Sequence, residues 1–166
     1  MRSTRLVALS ALIALVATLM VAAPAGAASG TCWVSRPAEL DFARDLNSER
    51  GAAGLGKLRL DPELSKAARL HTWEMIRRSR LYHTSDDRLR SRVTNWVILG
   101  ENVGMGPGVT SLHNAFMNSP THRANVMRSG YNHVGIGSRF KDGQLWVTIL
   151  FEGTTNPGTP LPMPTC

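Results

Sequence analysis

From Leu145 to Phe151 the chain alternates two apolar sets, Leu145, Val147, Ile149 and Phe151 against Trp146, Thr148 and Leu150. A strand with apolar residues on both faces belongs between two layers rather than at a solvent boundary. Val134 to Phe140 reads as another strand, and Lys141-Asp142-Gly143-Gln144 joins the two. Its Asp-Gly pair is a hairpin signal. Upstream the period changes. Ala38 to Arg50 places Leu40, Ala43, Leu46 and Arg50 on one side of a helix that Gly51 and Gly54 close. Asp61, Pro62 and Glu63 supply an N-cap, a first helical residue and a charge suited to the positive helix end. The second helix is expected to run to about Arg80, with Leu64, Ala68, His71 and Met75 along its stripe. Val93 to Leu99 reads as a strand or an extended approach to a turn at Gly100. Ser111 to Met117 reads as a third helix. Ser119-Pro120 repeats the cap-then-proline signal and opens a short helix carrying His122 on its first turn.

The first 27 residues have a different character. Arg2 and Arg5 precede a run from Leu6 to Ala23 that is apolar apart from Ser10 and Thr18, and Pro24-Ala25-Gly26-Ala27 ends it. This is the pattern of an export leader, residues 1–27, with a small-residue cleavage site. Cleavage there leaves residues 28–166 as one domain, and no repeat or internal linker divides it. The formal net charge of +7 becomes +5, and lysine contributes only Lys57, Lys66 and Lys141 to the basic residues. A basic exported chain is suited to anionic cell-envelope surfaces. Its compartment and its lack of a recognition motif exclude nucleic acid. Cys32 and Cys166 stand at opposite ends of the mature chain, and no other cysteine competes with them. In an oxidising compartment such a pair is expected to bridge, which would contribute roughly 5 kcal/mol through loop closure. Free or intermolecular thiols are the alternative.

Of the five histidines, His71 falls on an apolar stripe and reads as a satisfied buried imidazole. His113 and His133 read as surface residues. His83 follows the end of the second helix and His122 starts a helix, which are locations suited to a site. With Glu101 they make two imidazoles and a carboxylate, separated by 18 and 21 residues. That is a sound donor set for zinc with an open position, although no His-Glu-x-x-His helix is present. Other signatures fail. Gly135-Ile136-Gly137-Ser138-Arg139 lacks the spacing of a nucleophile elbow and reads as strand. Gly104-Met105-Gly106-Pro107-Gly108 has no following Gly-Lys-Ser/Thr, so it reads as a flexible loop rather than a phosphate cradle. Ser119 could pair with His122, but reads better as a helix cap.

His83, the run Gly100-Glu101-Asn102 and the segment Asn118-Ser119-Pro120-Thr121-His122-Arg123-Ala124-Asn125 together resemble the bacterial branch of the CAP superfamily. Its SCP domains include cysteine-rich secretory proteins, insect venom antigen 5 and plant pathogenesis-related proteins. Asn47, Arg50, the Asp61-Pro62 helix start and Gly135-Ile136-Gly137 also fall where that family has them, so the likeness covers roughly Leu40 to Phe151. The resemblance implies an α+β fold, a three-layer α-β-α sandwich around a central antiparallel sheet. It implies a cleft in which His83, Glu101 and His122 take the places of two histidines and one glutamate, with Asn102, Ser119, Arg123 and Asn125 as supporting motif residues. A second glutamate of many relatives has no counterpart, since Asn118 or Ser119 occupies its neighbourhood, and Phe116 replaces a common tryptophan. Two functions are expected from this. One is a secreted, monomeric, non-catalytic binding module for a lipid, sterol, glycan or protein, with no required cofactor and at most a weakly bound divalent ion such as zinc. The other is a metal-assisted extracellular hydrolase with Glu101 as base. The missing glutamate favours binding.

Overall fold

The computed structural model describes residues 33–154; the expected leader and the expected Cys32–Cys166 pair lie outside them. Five helices and four strands follow in the order α1 (Pro37–Ala52), β1 (Arg59–Leu60), α2 (Pro62–Arg77), α3 (Asp86–Arg92), β2 (Ile98–Gly106), α4 (Val109–Asn118), α5 (Pro120–Val126), β3 (His133–Lys141) and β4 (Gln144–Gly153). The sheet order is β1-β3-β4-β2. The three long strands are antiparallel, and the two-residue β1 adds to β3 in parallel.

The helix starts follow local chemistry. The Asp61 carboxylate accepts the Leu64 amide at 3.0 Å, as a capping side chain should. The hairpin between β3 and β4 turns through Asp142 and Gly143, both with positive φ (50° and 73°). This is the two-residue geometry that an Asp-Gly pair favours.

The sheet forms the middle layer of an α-β-α sandwich. On one face Phe42 and Leu46 of α1, Leu112 and Phe116 of α4 and Val126 of α5 pack on Val134, Ile136, Leu145, Val147, Ile149 and Phe151. On the other, Leu64, Ala67 and Ala68 of α2 pack with Leu150 and Val93, and Met75 packs with Val103 and Trp146. The alternation of β4 therefore divides its apolar residues between the two layers. Gly135 and Gly137 bring β3 directly against α2. A Cβ on Gly135 would stand 2.2 Å from the Leu64 backbone, and one on Gly137 would stand 2.2 Å from the Arg69 nitrogen.

Two buried charges join the layers. Glu39, almost fully buried in the first turn of α1, accepts from both Nε and Nη2 of Arg69 on α2 at 2.8 and 2.5 Å. It also accepts the Arg36 and Ser138 amides. Arg50, at the far end of α1, donates to the carbonyls of Gly56, Val126 and Arg128 at 2.8 Å and to that of Tyr131 at 3.1 Å. Asn47 meanwhile exchanges two hydrogen bonds with the Leu58 backbone, as a neighbouring strand would.

Several local expectations change. The second helix ends at Arg77, before Arg80, because Ser79 turns to φ 46°. Residues 100–106 are neither turn nor flexible loop but the body of β2, where Gly100, Gly104 and Gly106 admit Tyr131, Phe116 and Leu112 against the strand. His113 and His133 are buried rather than on the surface. His113 faces Glu49 across the α4–α1 contact, and His133 opens β3 between β1 and the Glu152 position of β4. His71 is buried, with Nε2 2.7 Å from the Tyr82 carbonyl, in keeping with its position on the stripe.

Gly135→Ala or Gly137→Ala should force α2 away from β3 and destabilise the domain by at least about 2 kcal/mol in chemical denaturation. Glu152, only 4 % exposed, is a second test. Burial, reinforced by Asp61 and Glu63, pushes its carboxyl up to about 7. An unfolded glutamate titrates near 4.3, so between these pH values the folded chain holds a proton that the unfolded chain has released. This contribution is therefore favourable on the acid side and is lost as pH rises towards about 7. Glu152→Gln should remove that slope and exceed the wild type above pH 7 by on the order of 3 kcal/mol, measured by denaturation across the pH range.

Candidate functional site

β2 is an edge strand, and successive residues on it point to opposite faces. Glu101 and Asn102 therefore lead to different sides of the sheet. Glu101 projects towards the segment after α2, and its carboxylate is largely buried there, with 7 % of the side chain exposed. Oε1 accepts from His83 Nδ1 at 2.7 Å and from the Thr84 amide at 2.9 Å, while Oε2 accepts the Thr84 hydroxyl at 2.5 Å. An ionised carboxylate only accepts, so His83 must donate through Nδ1. That fixes its tautomer and leaves Nε2 as the acceptor of a neutral ring. His83 itself is exposed.

Asn102 projects to the other face and holds α5. Its Nδ2 donates to the His122 carbonyl at 3.0 Å, and its Oδ1 accepts from Asn125 at 2.8 Å. Asn125 Nδ2 also reaches the Glu101 carbonyl at 3.1 Å. These two amides stitch the helix to the strand beside Glu101. Gly100 makes room for that contact, since a Cβ there would meet the Tyr131 hydroxyl at 2.2 Å and Asn125 Oδ1 at 3.1 Å.

His122 sits half-buried on α5, its ring 5.1 Å from that of Phe116. Its Nδ1 lies 2.8 Å from the Ser119 hydroxyl. Ser119 occupies the N-cap position, and its carbonyl accepts the first helical bond from Arg123, but its side chain does not cap. The expected role as a side-chain cap is thus corrected: the imidazole three residues on takes the hydroxyl. Burial first, and then the nearby charge of His83, lowers the His122 pKa, which favours a neutral ring at pH 7. Arg123 belongs to the last turn of α5.

The anticipated three residues are therefore arranged as two pairs, His83 with Glu101 and Ser119 with His122, coupled electrostatically through the imidazoles. Neither histidine takes the other's hydrogen-bond partner. Among the described residues no group of three or more His, Cys, Asp and Glu side chains is placed to hold a metal ion. Both Glu101 oxygens are already engaged, so the carboxylate stands behind His83 rather than beside it as a third ligand. Two imidazole nitrogens alone do not fit a stable zinc centre. Thr84 is not among the candidates that the sequence offers; a hydroxyl adjoining His83 is the one signal for it.

Ser119→Ala should leave the fold intact but free the His122 ring. Nitrogen chemical shifts across a pH titration should show a redistribution of its tautomers and a changed pKa, while the His83 tautomer stays fixed. An unchanged His122 titration would show that Ser119 does not position it.

Known proteins share this fold. The model of the cysteine-rich secretory protein (CAP) family matches residues 43–151. The uncharacterised protein YkwD of Bacillus subtilis is 31 % identical over 107 residues, which is 60 % of this chain and 41 % of YkwD. The chain thus spans about two fifths of that relative's length. An outer surface protein of Borrelia burgdorferi superposes with a TM-score of 0.65 at 18 % identity, over 70 % of this chain and 92 % of that one. An extracellular SCP-domain protein of Bacillus anthracis gives 0.63 at 21 % identity, over 70 % and 40 % respectively. At these identities the two structures speak for the fold, and the family model covers most of the chain. The chain belongs to the cysteine-rich secretory protein family.

Proposed function

We propose that this protein is an exported binding module that acts outside the cell or at its envelope, without turnover of its ligand. The leader sequence supports export, and related folds occur in proteins described as extracellular or outer-surface. The observation that carries the reading is the engagement of both Glu101 oxygens by His83 and Thr84. Three donors hold its two oxygens, so the carboxylate is spent on orienting His83. A general base must reach the proton it removes, and a hydrolytic metal needs a third ligand. Glu101 supplies neither in this arrangement.

What the site offers instead is recognition. His83 presents an Nε2 of fixed tautomer to solvent, and His122 presents a neutral ring backed by Phe116. A polar group of a lipid, sterol, glycan or protein ligand can accept from or donate to these rings. The supporting amides of Asn102 and Asn125 keep the rings in place from behind.

Exported protein should carry or capture a ligand that is detected by mass spectrometry of co-purifying small molecules. His83→Ala and His122→Ala should each reduce its recovery by about ten-fold, the loss of one hydrogen bond to a neutral group. Zinc titration should show at most weak binding, and generic peptide and ester substrates should remain intact. Zinc-dependent turnover lost in His83→Ala, Glu101→Ala and His122→Ala alike would establish a hydrolase instead.

A further inference from the structure

We propose that the outer stripe of α2 and the segment following it dock the domain on an anionic phospholipid surface. Lys66, Leu70, Trp73 and Arg77 recur at i, i+4, i+7 and i+11, so they share one side of the helix, and all four are exposed. Leu70 and Trp73 are each 44 % exposed, and Leu81 just beyond the helix is 41 % exposed. Cations interleave with these apolar groups. The Arg77 guanidinium lies 4.5 Å from the centre of the Trp73 ring, and Arg78 and Arg80 each lie 5.3 Å from that of Tyr82.

The positive charge is not cancelled locally. Among the described residues Lys66, Arg77, Arg78 and Arg80 form no ion pair. Glu74, the sole acidic residue between Lys66 and Arg80, is taken by Arg88 and Arg92 of α3 at 3.1 and 2.8 Å. The face therefore complements an anionic partner, and its apolar members select which kind. A soluble polyanion would meet the cations and leave Leu70, Trp73 and Leu81 in water. At a bilayer the arginines and lysine reach phosphates while the indole and leucines enter the headgroup–acyl boundary. No helix of the described residues is long and apolar enough to cross a membrane, so α2 lies on the surface. Leu81 is two residues from His83, which brings the His83–Glu101 pair to the same end of the docked face. This docking does not depend on what ligand the histidines receive.

The test uses exported protein, shown by mass to lack residues 1–27, with vesicles of phosphatidylcholine alone or mixed with phosphatidylglycerol. Sedimentation should find binding only to the mixed vesicles, weakening as salt rises. Each charge removed from the stripe or the segment after it should lower partitioning about five-fold, so Arg77→Gln/Arg78→Gln should lose about 25-fold. Lys57→Gln/Arg128→Gln, which removes two charges from loops outside α2, should retain most binding. Brominated acyl chains should quench a component of tryptophan emission that Trp73→Ala eliminates. Equal losses in the two double variants, equal binding to phosphatidylcholine alone, or absence of quenching at Trp73 would each overturn the proposal. So would equally tight, salt-sensitive binding to soluble polyphosphate.

Discussion

Arg50 is the constraint on which the arrangement depends. Its guanidinium is buried, without a carboxylate partner among the described residues, and four carbonyls from two separate stretches of chain surround it. An unpaired buried charge is costly unless its donors are satisfied, so the chain must close around it in one way. The carbonyls of Val126 and Arg128 belong to the end of α5 and the turn beyond it, and that of Tyr131 leads into β3. Arg50 thereby fixes the distance between α1 and the helix that carries His122 and Asn125. Desolvation lowers its pKa, yet an arginine remains charged throughout the physiological range. The anchor is consequently insensitive to the pH changes that alter the histidines.

From that anchor the site follows in steps. α5 is placed by Arg50 at its end and by Asn102 and Asn125 along its side. Glu101 is placed by the alternation of the same strand that carries Asn102. One backbone thus serves two purposes: residue 102 holds the helix, and residue 101 holds a histidine on the opposite layer. Glu39 and Arg69 perform a comparable task at the other end of the sandwich, where a paired charge joins α1 to α2.

Features encoded by neighbouring residues are legible in the sequence. The Asp61-Pro62 start, the Asp142-Gly143 turn and the two-sided apolar alternation of β4 each contain their own cause. α3 has only its end charges to mark it, Asp86 and Asp87 at the start and Arg90 and Arg92 at the finish; it lacks an apolar stripe, buries none of its residues fully and is held by Leu89 and by Glu74 from another helix. β2 resembles a turn and a loop in the sequence because its glycines look like breakers; their purpose lies in Tyr131, Phe116 and Leu112, distant along the chain. The site is legible as a set of residues but not as a set of bonds. The resemblance of the motifs points to His83, Glu101 and His122 together, and Ser119 is visible as a neighbour of His122 three residues on, whereas the choice of Thr84 as a partner of Glu101 depends on loop geometry.

The sheet order places β4, the last described strand, between β3 and β2. Until residues 144–153 join, β2 has no neighbour on the sheet and its connection to β3 is missing. Completion of the sheet therefore waits on residues 144–153. The long-range pairings that complete the sheet are slow to form because loop closure precedes their reward. The order of strands thus puts the central wall of the sandwich under the control of contacts remote in sequence.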